Sequence, residues 1–328
     1  MVSELSANIS DHYELVNIKP EAPYIISSNR APTSWPQRGK IVFADFSLKY
    51  QPHLPPVLKN INLSINPGEK MGIVGRTGAG KSSLVKSLFH LIPEGTTGSI
   101  TIDGIDISSI GLGDLRPRLG IIPQESIILD GSYRENLDPM NEFSTEDIWA
   151  SAIKIQLAKV VRQPEDDVNL ETEEYYENAA KLKQWKRAGY LQKIRLLLAG
   201  KKPSFGSQIQ QRKTLLGMDV AGPRNQPSSG QKQLFSLCRL LMRKHKIAIL
   251  DEATASMDLE ADQKLQRLIH TELTDCTVLT IAHRLETIMN SDRVIVINQG
   301  QVVEVGVPAE LAQKQGGYFA ELLKCNDL

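Results

Sequence analysis

The chain has 328 residues, 41% of them hydrophobic, and carries 38 basic against 38 acidic side chains for a formal net charge of +0. That length holds one large domain or two small ones around a substantial core. The even charge balance, with no long basic run, excludes an electrostatic footprint for nucleic acid.

Cys238, Cys276 and Cys325 are scattered, with neither disulfide-framework nor metal-site spacing, and suit a reducing compartment. No run of about eighteen apolar residues occurs, so no segment is expected to span a bilayer. The first residues include Glu4 and Asp11 and lack an apolar centre, so they are not expected to be a signal peptide.

Residues 1–39 are rich in turn formers, among them Pro20, Pro23, Pro32, Pro36 and Gly39. They predict a linker or an arm lying on a neighbour. Ile41–Tyr50 partly alternates and predicts a strand, Val57–Ile65 a second, and Asn66-Pro67-Gly68 the turn after it.

Lys70-Met71-Gly72-Ile73-Val74 is short and apolar, as a buried strand is. It leads into Gly75-Arg76-Thr77-Gly78-Ala79-Gly80-Lys81-Ser82, which is G-x-x-x-x-G-K-S. Ser83–Phe89 then shows helical spacing. Strand, glycine loop and helix together are the context a phosphate-cradling loop needs. The glycines let backbone N–H groups turn inward, and the helix adds its positive end. Lys81 supplies a point charge for β- and γ-phosphates, and the Ser82 hydroxyl can ligate Mg²⁺.

Tyr50, at the end of its strand, reads either as an ordinary strand aromatic or as a platform for an adenine ring. Ser99–Gly104 and Leu119–Pro123 predict further strands. Gln124, leaving the second, reads as a loop side chain or as a group reaching Mg²⁺ or the attacking water. Ser132 to about Ala158 predicts helix. Composition then shifts: an acidic stretch over 164–177 is followed by a basic one over 181–202 with amphipathic spacing. Solvated faces, mutual pairing and a docking surface all fit these two runs. Residues 200–227 are loop-like.

Ser228-Ser229-Gly230-Gln231 opens a clear helix running to Leu241, with Ser228 as N-cap or as part of an anion site. Ile247–Leu250 predicts a strand delivering Asp251 and Glu252. Beside a phosphate loop, Asp251 would hold a metal and Glu252 would polarise the water attacking the γ-phosphate. A helix ending near Leu273 and a strand at Thr277–Ile281 follow, then His283, either structural or a γ-phosphate contact. Arg293–Glu304 predicts a hairpin about Gln299-Gly300, and Ala309–Leu323 a closing helix.

The order phosphate loop, Gln124, Ser228–Gln231, Asp251-Glu252, Asp258, His283 resembles the nucleotide-binding domain of ABC transporters over about residues 40–325. The resemblance implies an α/β fold: a P-loop core sheet of RecA type, an antiparallel β lobe holding Tyr50, and a helical lobe from Gln124 to about Leu241. By the same resemblance, residues 1–39 are a linker and 40–328 the nucleotide-binding domain, with an extended charged segment at about 161–226. Tyr50 looks like the adenine-stacking aromatic, and Gly75, Arg76, Thr77, Gly78, Ala79, Gly80, Lys81, Ser82 and Ser83 look like the ATP-binding loop. Gln124 looks like the Q-loop, and Ser228, Ser229, Gly230 and Gln231 look like the signature acting on a partner's ATP. Asp251 looks like the Walker B aspartate, Glu252 the catalytic glutamate, Asp258 the D-loop and His283 the switch histidine. Lys81, Glu252 and His283 are thereby the expected catalytic set, and Ser82, Gln124 and Asp251 the expected Mg²⁺ set.

Pro32-Thr33-Ser34-Trp35-Pro36 and Gly75–Leu84 are similar to the second such domain of multidrug-resistance-associated (ABCC-type) exporters. The implied partners are ATP, a second nucleotide-binding domain and an exporter's transmembrane domains, at the cytosolic face of a membrane. The other function in view is a stand-alone, cytoplasmic ABC-type ATP-binding protein with a regulatory role. Two departures stand out. Pro227 occupies a position where the family pattern has Leu or Phe, and Ala221–Gln226 replaces a Gly-rich acidic stretch. The segment between Val161 and Pro227 is also longer than the pattern.

Overall fold

The computed structural model describes residues 21–51, 53–92, 94–155, 157, 227–251, 259–281 and 285–325. Glu252, Asp258, His283, residues 1–20, the charged segment 161–226 and Ala221–Gln226 lie outside the described residues. The chain divides into two compact units, one comprising the residues to Gly120, His245–Asp251 and those from Asp275, the other Ile121–Lys244 and 252–274.

The first unit holds a four-stranded sheet in the order β2-β1-β4-β5, from β1 (Ile41–Leu48), β2 (Leu58–Ile65), β4 (Thr96–Ile102) and β5 (Ile105–Asp106). Its pairings are antiparallel. In β1 the buried set is Ile41, Phe43, Phe46 and Leu48, so strict alternation fails once. Asp45, at φ 47°, takes up the extra residue where the β1–β2 and β1–β4 registers shift. This bulge returns Phe46 and Leu48 to the buried face.

The second sheet has the order β10-β9-β3-β8-β7-β6. Its strands are β3 (Lys70–Val74), β6 (Leu119–Ile122), β7 (Ile247–Asp251), β8 (Thr277–Ile281), β9 (Arg293–Asn298) and β10 (Gln301–Gly306). β9, β3, β8 and β7 run parallel, and β10 returns antiparallel on β9. Continuous burial along Met71–Val74, Ile247–Leu250 and Val294–Ile297 fits a parallel sheet covered on both faces.

One core joins the antiparallel sheet to the phosphate-loop strand. Ile41 and Phe43 of β1, Met71 and Ile73 of β3, and Leu84 and Leu88 of α1 (Lys81–Leu88) belong to a single buried cluster. A second cluster gathers Val74, Val294 and Val296 with Leu311, Phe319 and Leu322 from two C-terminal helices.

The described part of the N-terminal arm, residues 21–39, packs on the chain's own domain. Trp35 is buried and its Nε1 donates to the Ile102 carbonyl at 2.8 Å. The Pro23 and Tyr24 carbonyls accept from Leu112 and Gly113, the first two residues of α2 (Leu112–Leu115).

Asp103 closes this arrangement. Its Oδ2 accepts from the backbone N–H groups of Gln37, Arg38 and Gly39 at 2.8, 2.8 and 3.1 Å, and its Oδ1 from Lys40 at 2.8 Å. Burial alone would push this carboxyl up. The four donors together outweigh it and hold the group below its ordinary value. Asp103→Asn puts an NH₂ where an acceptor stood and should cost about 2 kcal/mol. The midpoint of urea unfolding reads that loss. Because the folded pKa is depressed, the carboxylate's contribution is present above the unfolded pKa and fades as pH falls through the folded one. The variant should therefore lose less stability in acid than the parent.

The second unit is helical. It contains α3 (Tyr133–Leu137), α4 (Thr145–Lys154), α5 (Ser229–Arg243) and α6 (Leu259–Glu272). α5 packs on α3, α4 and α6, and the Phe235 ring stacks on Tyr133 with centroids 5.4 Å apart. The helical pattern read from Ser132 to about Ala158 holds two helices, α3 and α4. Asp138, at φ −136° and ψ 69°, precedes Pro139, whose ring disfavours helical backbone before it. α7 (Leu285–Met289) belongs to the first unit, and its expected closing helix is likewise two, α8 (Pro308–Gln313) and α9 (Tyr318–Cys325). The break falls at Gly316, which has φ 68°. The Glu304 carboxylate spans it, accepting from Lys314 Nζ at 2.8 Å and from the Phe319 N–H at 3.0 Å.

Candidate nucleotide site

The site starts from one strand end. β3 finishes at Val74, the chain curls through Gly75–Gly80, and α1 begins at Lys81. A Cβ on Gly75 would stand 2.2 Å from the Ile297 carbonyl oxygen, so only glycine lets the loop pass this close to β9. Gly80, the N-cap of α1, has φ 114°, a region side chains avoid. The curl is pinned from two sides. The Ala79 N–H donates to Arg76 at 3.0 Å, and the Ala79 carbonyl accepts from Gly300 in the β9–β10 turn at 3.0 Å. Gly300 in turn accepts from Lys59 of β2 at 2.8 Å. Both sheets of the first unit thus hold the loop.

Lys81 is only 7% exposed, and its Nζ donates to the Gly75 carbonyl across the curl. Arg76, Thr77, Gly78 and Ser82 are exposed, while Ala79, Gly80 and Ser83 are buried. The loop therefore shows solvent a rim of backbone and a hydroxyl, with a buried ammonium beneath. A cavity of about 90 Å³ adjoins it, lined by Gly75, Arg76, Asn298, Tyr318, Glu321 and Leu322 among others. It is too small for a nucleotide, for which pockets run to roughly 300 Å³ or more. The open rim is the available seat.

Tyr50 lies two residues beyond the end of β1 instead of ending it. Its hydroxyl and that of Ser83 are 3.0 Å apart, and Lys86 Nζ stands 5.9 Å from its ring centroid. Tethered at its tip, the ring stays 42% exposed beside the first turn of α1. The structure thus joins Tyr50 to the first turn of α1.

Asp251 is half-buried at the last position of β7. It is in register with Ile281, which is in register with Ile73. Asp251 and the end of β3 therefore lie at one level, a single strand between them, about 10 Å apart along the sheet. Both face the carboxyl edge of the parallel strands, where ligands of open α/β sheets bind.

In the second unit, Ser228 caps α5. Its Oγ accepts from the Gln231 N–H at 3.2 Å while Gln231 Oε1 accepts from the Ser228 N–H at 2.9 Å. This capping box forms with Pro227 preceding it, so the departure from the family pattern leaves the helix start intact. Ser228 and Ser229 are exposed, Gly230 and Gln231 half-buried. Gln124 is exposed after β6. Sequence reasoning missed Gln233, a buried glutamine whose amide bonds the backbone of Pro123 and Gln124. Its signal was there: Gln233, Leu237 and Leu240 share i, i+4, i+7 spacing on the buried face.

The donor set has a definite chemistry. Among the described residues no cluster of three or more His, Cys, Asp or Glu could cage a metal. Ser82 and Asp251 are hard oxygen donors on one sheet edge. Mg²⁺ keeps its waters and binds through one or two protein oxygens plus substrate phosphates, so these residues fit an ion arriving with a nucleotide.

Residues 58–255 match the ABC transporter family. The chain belongs to that family. It is 40% identical over 322 residues to rat ATP-binding cassette sub-family C member 2, covering 97% of this chain and 18% of that protein. It is 39% identical over 327 residues to mouse sub-family C member 3, covering 99% and 18%. With the putative ABC transporter C family member 15 of Arabidopsis thaliana the identity is 38% over 307 residues, covering 94% and 24%. The chain thus spans about a fifth of the length of these relatives. A structure of a bacterial Atm1-family ABC exporter with ATP bound shares its fold, with a TM-score of 0.73 and 22% identity over 100% of this chain and 48% of that one. The chain thus carries an ABC transporter domain with the α/β fold the sequence implied. Among its described residues no helix is long and apolar enough to cross a membrane.

Proposed function

We propose that the chain binds ATP with Mg²⁺ at Gly75–Ser83 and hydrolyses it to drive an exporter's transmembrane domains from the cytosolic face of a membrane. The observation that carries this reading is the curled loop over buried Lys81, at the same sheet edge as Asp251. Backbone N–H groups and the α1 dipole take the phosphates, Lys81 adds its charge, and Tyr50 stacks on the base. Ser82, Asp251 and Gln124 hold the Mg²⁺ that accompanies ATP, and the ion's contribution is to draw charge from the β- and γ-phosphates. Glu252 polarises the attacking water and His283 orients the γ-phosphate end.

The seat is an open rim, and hydrolysis calls for control of water. A second nucleotide-binding domain closes it, presenting Ser228, Ser229, Gly230 and Gln231, with Asp258 at the junction. In this reading residues 1–39 join the domain to the last transmembrane helix. With ATP and Mg²⁺, the purified chain should hydrolyse slowly, its rate per chain rising with protein concentration because two domains must meet. No hydrolysis with a competent partner domain present rejects the proposal.

A further inference from the structure

α5 begins at the Ser228–Gln231 cap, and three of its side chains, Gln233, Ser236 and Arg239, stand one turn apart on a single stripe. All three grip one loop. Gln233 Nε2 donates to the carbonyls of Pro123 at 3.1 Å and Gln124 at 3.0 Å. Its Oε1 accepts from Ser126 Oγ at 2.8 Å. Ser126 and Ser236 hydroxyls are also 2.8 Å apart. A hydroxyl has one proton, and Ser126 spends its own on Gln233, so Ser236 is the donor of this second bond. Arg239 continues the stripe, donating to the Ile127 carbonyl at 3.1 Å. The backbone from Pro123 to Ile127 is thereby fastened along two turns of α5.

Gln233 is 2% exposed, and a buried amide is costly unless bonded. Here both N–H groups and the oxygen are bonded, and every bond ends on this loop. An apolar side chain would serve the helix core as well, but it would hold nothing of the loop.

We propose that Gln233 is a positioning residue: it holds the Gln124 loop in register with the helix carrying the signature residues, so that metal–nucleotide binding at Gln124 and partner closure at Ser228–Gln231 are felt by one rigid piece. This rests on Gln124 being a Mg²⁺ ligand. Groups that position a metal ligand typically affect metal affinity by about tenfold or more when lost.

The test titrates a fluorescent ATP analogue into the full chain with and without Mg²⁺, alongside hydrogen exchange of the amides at 124–127. Gln233→Glu keeps the acceptor for Ser126 but loses both donors, and Gln233→Met, neutral and unbranched, loses all three bonds without adding charge. Both should keep the parent's Mg²⁺-free affinity, lose about tenfold of the Mg²⁺-dependent tightening, and exchange the loop amides faster. Combined with Gln124→Ala, Gln233→Glu should add no further loss, because it acts through Gln124. Ser126→Ala, which spares both Nε2 bonds, should keep most of the tightening. Additive losses in the double variant overturn the proposal, as does full tightening in both Gln233 variants while Gln124→Ala lacks it. If Gln124→Ala itself tightens normally, the metal reading of Gln124 fails, and the proposal goes with it.

Discussion

Lys81→Ala should weaken ATP binding by about two orders of magnitude or more while leaving the fold in place. Lys81 is the first residue of α1, nearly buried, and its ammonium lies across the curl on the Gly75 carbonyl. That carbonyl is a resting partner, and phosphate oxygens are a stronger one. Charge-assisted hydrogen bonds of this kind each contribute roughly 1.5–3 kcal/mol, so losing two of them reaches about a hundredfold. Lys81→Arg should not rescue. The planar guanidinium is wider than an ammonium, and the curl is fixed by glycine positions that leave no room beside β9. Fluorescence titration with an ATP analogue reads the affinity, and thermal unfolding shows whether the loop's support from β9 and β2 survives. Parent-like affinity in Lys81→Ala would remove the physical basis of the nucleotide site.

What could be read in the sequence follows from how local each signal is. β3, the glycine loop and α1 are contiguous, and their pattern is set within twenty residues: an apolar run, glycines and helical spacing. β8 matches its expected span for the same reason, since Thr277–Ile281 is mostly buried and four of its five residues are β-branched. β1 was blurred because one bulge at Asp45 breaks the alternation that identifies strands. The four residues of α2 carry no periodicity at all; the arm's Pro23 and Tyr24 carbonyls accept from Leu112 and Gly113, and the Gly111 carbonyl from Asp114 and Leu115. Residues 1–39 were read as a linker or an arm on a neighbour, and the part at 21–39 packs on the domain itself. Asp103 and Ile102 are its anchors, more than sixty positions away, and no local pattern announces such pairs. The same limit hid the site's supports. Tyr50 and Ser83, Gly300 and Ala79, and Gln233 and Gln124 are all distant in sequence, and only the folded chain brings each pair within hydrogen-bond reach.

Glu252→Gln should lower hydrolysis by about a thousandfold and leave ATP binding close to the parent's. Asp251 and Glu252 are consecutive, but on the proposed reading they do different work. Asp251 is fixed in register with Ile281 and Ile73, level with the end of β3, and suits a charge-holding role toward Mg²⁺. Glu252 is the next residue in the chain and, on the proposed reading, the group that takes a proton from the attacking water. Glutamine keeps the size and polarity of that side chain but cannot accept the proton, and a lost general base typically costs 10²–10⁴-fold. Binding does not use the proton transfer, so affinity should hold. On the proposed closure of two domains over each ATP, the variant should accumulate as an ATP-loaded dimer on size exclusion, while the parent returns to monomer as it turns over. Asp251→Asn should behave differently, losing the Mg²⁺-dependent part of affinity before any question of rate arises. Should Glu252→Gln turn over ATP at the parent's rate, the general base lies elsewhere in the chain, whereas the loop and Asp251 would still bind the nucleotide. Lys81→Ala and Glu252→Gln thus separate holding ATP from breaking it, the first just after β3 and the second just after β7 in the chain.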